Sequence, residues 1–399
     1  MIKNNIKSKY LNKSFSNKLS KKYEKIFSEI NNNVKNPRET LNILDGKFSF
    51  NFKIQDLKRF NKFKSIALIG MGGSILGAEA IYNFLEKKIK KKIYFFNDLN
   101  ENKITNFKKK NKLSKVLFII ISKSGTTIET LSNVFLLKII KKNSKNIILI
   151  SEKKNNLLFN LSKQLNLSYF EHKDYISGRY SVLSEVGIIP SYLMGINIYK
   201  LRSKISDFLK RKNRILLKDS AIKLANILNS KKVNNLIFLN YSPELEKFLF
   251  WCQQLLAESL GKKNKGFLPM ISSVPKDHHS LLQLYLDGPR DKLFYIFSID
   301  KKSKEKISIN KNFNIDSNLR EKKMSSIKNA QKNALIKSFK KRNIPFREFR
   351  IKKNNEEILG KLFSYFITET IIIAKLLKIN PYDQPAVEEV KIFTKKILN

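Results

Sequence analysis

The chain has one cysteine, Cys252, and three histidines. A single cysteine excludes an intramolecular disulfide and a cysteine-based metal cluster. Long apolar runs are also missing. The most apolar stretch, residues 181–201, is interrupted by Glu185, Pro190 and several small polar residues, so no bilayer-spanning helix and no membrane partner are expected. The opening residues MIKNNIKSKY are polar and basic with no apolar segment behind them, and no secretory signal is expected. Acidic residues are scarce, 33 against 79 lysines and arginines, for a net charge of +46. Such an excess ordinarily points to nucleic acid. Here the lysines run the whole length, mixed with isoleucine and asparagine, which are residues of AT-rich codons. Zinc-finger spacing, an aromatic RNA-binding signature and a discrete basic tail are all absent. Coding bias accounts for the skew, and no nucleic-acid partner is expected, although a positive field would speed capture of an anion. The length of 399 residues and 42% hydrophobic content suit two globular domains with a large core. A cytoplasmic enzyme is the simplest expectation.

Strand and helix patterns alternate along most of the chain. A buried strand at 66–69 leads through a glycine run to a helix at 78–88. Strand 92–96, a helix near 102–110, strand 116–121, a helix at 128–141 and strand 146–150 follow. A helical bridge, 197–229, precedes strand 236–239, helix 243–260, strand 292–299, helix 318–341, strand 346–351 and helices 356–377 and 384–396. Residues 1–45 read as polar, helical and peripheral, and the lysine-rich loop 300–313 as a solvated surface segment. Alternation of this kind predicts an α/β fold with parallel sheets covered on both faces.

The most informative stretch is VLFIIISKSGTTIET. Six apolar residues, 116–121, run into Ser122, Lys123, Ser124, Gly125, Thr126 and Thr127, where a helix begins. Free backbone N–H groups and the positive end of the helix dipole gather there. Added hydroxyls make a cradle for the phosphate of a small substrate; an ordinary N-cap run is the alternative. The run GMGGSILG lacks a glycine at position 75, which excludes the dinucleotide fingerprint, and it lacks the Gly-Lys-Ser/Thr ending of a nucleotide P-loop. Gly72 and Gly73 still permit close approach to a ligand beside the Ser74 hydroxyl, or simply tight strand–helix packing. Arg179, next to Gly178, can hold a developing negative charge or solvate the surface. Gln254 and Glu258 share one helix face. A carboxylate in an apolar, closed site suits a carbon-acid base, whereas an ordinary salt-bridged glutamate is the plainer reading. His278 and His279 precede an apolar helix and could exchange protons, or be structural. His172 reads as structural. Gln384 starts the last helix, with Lys391 two turns along, a position that in so basic a chain ordinarily means a solvated lysine.

Together GMGGSILG, SKSGTTIET, GRYSVLSEVG, QLLAESLGK, HHSLLQLYLDGP and DQPAVEEVK, in this order from residue 66 to 391, resemble the glucose-6-phosphate isomerase (phosphoglucose isomerase) family. The resemblance implies two SIS-type three-layer α/β/α domains with parallel sheets plus peripheral N- and C-terminal helices: 1–45 helical, 46–200 and 201–355 the two SIS domains, and 356–399 helices completing the site. It implies interconversion of glucose 6-phosphate and fructose 6-phosphate in glycolysis and gluconeogenesis, by ring opening and proton transfer through a cis-enediol(ate), with no cofactor or metal. Ser122, Lys123 (through its backbone), Ser124 and Thr127 match the phosphate site. Gly73, Ser74, Gln254 and Gln384 match substrate contacts. Glu258 matches the base, Arg179 the enediolate-stabilising cation, and His279 and Lys391 the ring-opening pair. The family site lies at a homodimer interface, with the histidine from the partner. The sequence departs at Ser177, where a second glycine is frequent, at Val390, which replaces a glycine before the lysine, and at His278, where glutamine is frequent. An isomerase that also accepts mannose 6-phosphate, a non-catalytic sugar-phosphate sensor and a nucleic-acid-binding protein are the competing readings.

Overall fold

The computed structural model describes residues 2–300, 303–308 and 319–398. Among these, ten strands form two five-stranded sheets: β1 (Ile2–Asn5), β2 (Ser65–Ile69), β3 (Lys92–Phe96), β4 (Val116–Ile121), β5 (Ile147–Ser151), β6 (Ser168–Glu171), β7 (Asn235–Asn240), β8 (Leu268–Ser273), β9 (Lys292–Ile299) and β10 (Phe346–Ile351). The first sheet runs β3-β2-β4-β5-β6 and is parallel throughout. The second runs β1-β10-β9-β7-β8 and is parallel except for β1, which pairs antiparallel with β10.

Side-chain alternation explains why the central strands are apolar on both faces. In β4, Leu117, Ile119 and Ile121 enter one core while Val116, Phe118 and Ile120 enter another on the opposite face. In the second sheet Ile237, Leu239, Phe294 and Ile296 form a separate core on one face. The remaining faces of both sheets share one large core with the intervening helices. Each sheet reverses its winding once: the chain goes from β2 to β3 on one side and then to β4 on the other, and from β7 to β8 and then to β9. Such reversals open a crevice at the carboxyl ends of the strands. The β2/β4 crevice is where the glycine run and the hydroxyl-rich turn lie.

The α/β class and the parallel sheets agree with the sequence reading, but three short strands lie outside it. β1 falls within the segment read as helical, and its sequence IKNN has no apolar alternation. β8, LPMISS, is an edge strand with exposed Leu268 and Met270, and β6, SYFE, closes the other sheet. Edge strands bury one face or less, so their patterns are weak. Two helices expected at the periphery are central. Lys13–Lys35 buries Leu19, Tyr23, Phe27, Ile30 and Val34, and Glu356–Leu376 is buried along most of its length. The bridge separates into Ile198–Arg202 and Arg211–Ser230. Helix 318–341 begins at Met324; of its expected start and of loop 300–313, residues 301–302 and 309–318 lie outside the described ones. No helix among the described residues is long and apolar enough to cross a membrane.

Gly360 lets the central Glu356–Leu376 helix lie directly on the Ile198–Arg202 helix. A Cβ there would sit 1.8 Å from the Leu201 carbonyl oxygen, a backbone atom that cannot swing away. Gly360→Ala is therefore expected to destabilise the fold by about 2–3 kcal/mol, read as a lower urea midpoint with an unchanged m-value; an unchanged midpoint would contradict the packing.

Candidate active site

The turn after β4 is built as a donor cluster. Ser122 is buried, and its Oγ lies 2.9 Å from Thr127 Oγ1; Ser124 Oγ lies 3.5 Å from the same atom. Thr126 donates to Ser124 Oγ from its backbone N–H at 3.3 Å and from its hydroxyl at 3.2 Å. Thr127 is the N-cap of helix Ile128–Leu137, yet its side chain makes no capping hydrogen bond. Its hydroxyl faces the serines instead, which favours an anion cradle over an ordinary N-cap. Gly125 holds the turn at φ +68°, where a Cβ would lie 1.9 Å from Asn156 Oδ1. The Lys123 ammonium points away from the turn, donating to the Asp174 carbonyl at 2.8 Å and lying 3.5 Å from Glu152. Only its backbone is thus available to a ligand there, as the resemblance implies.

Beside this turn lies the glycine run. A Cβ on Gly70 would lie 2.9 Å from the Ile121 oxygen, which puts the ends of β2 and β4 side by side. Gly73 packs so closely on the Gly178–Arg179 peptide that a Cβ would lie 2.2 Å from the Gly178 carbonyl carbon. Gly72, at φ +50°, abuts Gln254 Nε2. The loop that carries buried Ser74 therefore starts beside the end of β4, from which the hydroxyl turn leads, and meets Arg179 and Gln254 further on.

Arg179 is the hub. Its side chain is 2% exposed, and a buried guanidinium needs an acceptor for each of its five N–H donors. Nε donates to Ser259 Oγ at 2.9 Å. Nη1 donates to Glu258 Oε2 at 3.1 Å and to Gln384 Oε1 at 3.0 Å. Nη2 donates to the carbonyls of Pro381 and of Asp383, the latter at 2.9 Å. All five donors are engaged within the protein. Since the Pro381 carbonyl only accepts, Tyr180 spends its one proton on it at 3.1 Å, and Ser259, which accepts from Arg179, donates to Tyr180 Oη, 2.7 Å away.

Glu258 and Gln254 meet on one face of helix Glu246–Leu260, where Gln254 Nε2 donates to Glu258 Oε1 at 2.8 Å. Each carboxylate oxygen of Glu258 thus has its own donor. The carboxylate is 28% exposed on its open side, so the site is more polar and more open than the apolar enclosure expected from sequence. Gln254 Oε1 is buried and accepts no hydrogen bond from the described residues.

Two expected site residues are not brought in. Lys391 lies on helix Pro385–Leu398, which buries none of its residues, and its Nζ pairs with Glu388 at 2.7 Å. It stands about 10 Å along the helix axis from Gln384. His279 sits in the short helix Lys276–His279 beyond β8 and is exposed, whereas the neighbouring His278 Nε2 meets the Tyr241 hydroxyl at 3.1 Å. Sequence reasoning missed Ser259, Tyr180 and the 380–383 turn as supports of Arg179. It also passed over Lys262, which closes the QLLAESLGK motif and pairs with Asp383, holding that carboxyl below its usual range. Among the described residues no cluster of His, Cys, Asp and Glu is arranged to hold a metal ion.

The resulting arrangement gathers a hydroxyl-rich turn, a partly exposed glutamate side chain and a buried guanidinium around one loop. Such a set can anchor a phosphorylated small molecule and move a proton on its carbon skeleton. A family model described as phosphoglucose isomerase matches residues 49–273. The chain is 30% identical over 381 residues to a glucose-6-phosphate isomerase of Methanocaldococcus jannaschii, covering 92% of this chain and 91% of that protein. It is 31% identical over 375 residues to a glucose-6-phosphate isomerase of Campylobacter jejuni, covering 90% of each. In fold it is similar to a hypothetical protein of Thermus thermophilus, with TM-score 0.82, 22% identity and full coverage of both chains. It is similar also to a glucose-6-phosphate isomerase of Chlamydia trachomatis, with TM-score 0.69, 20% identity, and coverage of 86% of this chain and 71% of that one.

Behind the hydroxyl turn, His172 is fully buried. Its Nδ1 meets the Lys173 carbonyl at 3.0 Å, and because a carbonyl only accepts, Nδ1 carries the hydrogen. Desolvation, aided by nearby Lys123, pushes its pKa down to about 4. The unfolded chain binds this proton near pH 6.5, so between pH 6.5 and about 4 the unfolded state holds more protons and stability falls as pH falls. At pH 5 the loss relative to pH 7.5 is about 2 kcal/mol from this residue. Urea titrations should show that His172→Asn reduces the pH 7.5-to-5 difference by that amount; an unchanged difference would remove His172 as the cause.

Proposed function

Because the chain belongs to the phosphoglucose isomerase family, we propose that it interconverts glucose 6-phosphate and fructose 6-phosphate. The observation that supports this most is the sharing of Arg179 Nη1 between Glu258 and Gln384, beside a glycine loop that borders the hydroxyl turn. The phosphate sits in the turn formed by Ser122, Lys123 (backbone), Ser124 and Thr127, and the sugar extends past Gly73 and Ser74 toward Gln254 and Glu258. Binding energy from the phosphate, remote from the reacting carbons, places C1 and C2 at the carboxylate. Glu258 takes the C2 proton of the open aldose and returns it to C1 through a cis-enediolate, while a proton passes from the C2 hydroxyl to the C1 oxygen so that C2 becomes the carbonyl. Arg179 stabilises the oxyanion that develops, but with every donor occupied it has to release an acceptor first. Gln384, the neutral partner, holds Nη1 less strongly than the carboxylate does and is the one displaced. Gln254 Oε1 is the matching acceptor for a sugar hydroxyl. The carbon-to-carbon proton transfer uses this carboxylate and this guanidinium, and the pathway role is that of glycolysis and gluconeogenesis in the cytoplasm.

The exposed His279 fits a homodimer in which each site receives this histidine from the other subunit and opens the sugar ring with it. Lys391 joins the ring-opening step only if helix Pro385–Leu398 moves from where it now stands; in its present place it supplies no group to the site.

An assay coupling glucose 6-phosphate formation from fructose 6-phosphate to a dehydrogenase, with chelator present, tests the activity, and absence of turnover would refute it. Glu258→Gln should still bind fructose 6-phosphate while turnover falls at least about 1,000-fold; near-normal turnover would remove Glu258 as the base. Ser124→Ala should raise KM about tenfold with kcat little changed, since the phosphate contact persists through the reaction, and a fall in kcat alone would contradict the anchor role. Equal amounts of His279→Ala and Glu258→Gln chains, each inactive alone, should regain about a quarter of wild-type activity on mixing, because half the dimers carry one intact site. No recovery after verified subunit exchange would place His279 outside the partner's site.

A further inference from the structure

We infer that Lys262 is a positioning residue: it fixes the 380–384 turn and thereby sets how Arg179 divides between Glu258 and Gln384. This rests on the isomerase reading above. Lys262 follows Gly261 just past the helix that carries Glu258, so one helix end presents both groups. An ammonium has three N–H donors. Those of Lys262 reach the Asn380 carbonyl, the Asp383 carbonyl at 2.6 Å and Asp383 Oδ1 at 2.6 Å. The second Asp383 oxygen accepts from Asn380 Nδ2 at 2.9 Å, which closes the turn on itself.

The Asp383 carbonyl is the link. It accepts from Lys262 on one side and from Arg179 Nη2 on the other, at 2.9 Å. The next residue, Gln384, gives its Oε1 to Arg179 Nη1, the same nitrogen that holds Glu258. Moving the turn by a few tenths of an ångström therefore changes which acceptor Nη1 favours. Lys262 is shielded for its type, with a side chain 14% exposed, while Asp383 is 50% exposed. A half-exposed ion pair adds little to stability. The turn keeps other anchors as well: Ser177 Oγ donates to the Tyr382 carbonyl at 2.9 Å, and Tyr180 and Arg179 hold Pro381. Loss of Lys262 thus loosens the placement of Gln384 without removing the turn.

The test is a double-mutant cycle on the full-length protein with fructose 6-phosphate as substrate. Lys262→Met should lower kcat about tenfold, with its melting temperature within about 3 °C of wild type. Lys262→Arg should recover to within about threefold, because it restores the charge but not the pyramidal set of three donors. In a Gln384→Ala background, Lys262→Met should cost less than about twofold, since the residue through which it acts is already gone. If Lys262→Met lowers the melting temperature further than stated, Asp383→Asn, which removes the charge of the pair and leaves one side-chain oxygen for Lys262 and Asn380 to compete for, replaces it in the cycle. Equal costs in the two backgrounds, or no cost in wild type, would overturn the role of Lys262. A wild-type protein that does not isomerise fructose 6-phosphate overturns the isomerase reading and this one together, an outcome distinct from an active wild type with multiplicative costs.

Discussion

A guanidinium that is 2% exposed has to find an acceptor for every N–H or lose several kcal/mol to desolvation. Arg179 meets this demand from two parts of the chain that are far from it and from each other in sequence: Glu258 and Ser259 at one helix end, and Pro381, Asp383 and Gln384 in the turn that leads into the last helix. Satisfying one buried cation therefore gathers the carboxylate and the C-terminal segment at one place. The relay from Ser259 through Tyr180 to the Pro381 carbonyl closes the same ring from behind.

Gly73 packs on the Gly178–Arg179 peptide beside that hub. With no Cβ at Gly73, the loop after β2 lies against the backbone of Arg179, and with none at Gly70 the ends of β2 and β4 lie together. The winding reversal supplies the crevice, and the glycines bring its walls within reach of the cation. A second buried arginine shows the same rule in a purely structural setting. Arg347, fully buried, is met by Glu369, Tyr295, Tyr365 and Asn4 and ties β10 to the central Glu356–Leu376 helix.

How much could be read from the chain follows from where each signal resides. The strands β2, β3, β4, β5, β7, β9 and β10 and the Ser122–Thr127 cluster were legible, since a buried strand is a local run of apolar residues and a hydroxyl turn is a local composition. Gln254 and Glu258 were legible as a pair because helical spacing places them together. The strands β1, β6 and β8 were not, because edge positions relax the apolar pattern. Nor was the central place of the Lys13–Lys35 helix, whose many lysines mask the five residues it buries. The ring-opening roles of Lys391 and His279 came from the resemblance, His279 having also been a candidate on its own chemistry, and within one chain Lys391 pairs with Glu388 while His279 is exposed.

The sequence by itself determined the α/β class, the apolar strands that end in glycine-rich and hydroxyl-rich turns, and the residue types available for acid–base and anion chemistry, because each depends on neighbours within a few positions. Only the tertiary structure decided that Arg179 is buried and saturated, that Lys123 turns its ammonium away from the cradle, and that Lys262 clamps the 380–383 turn. These are outcomes of competition among donors and acceptors up to about two hundred residues apart, and no local pattern records which of them will win.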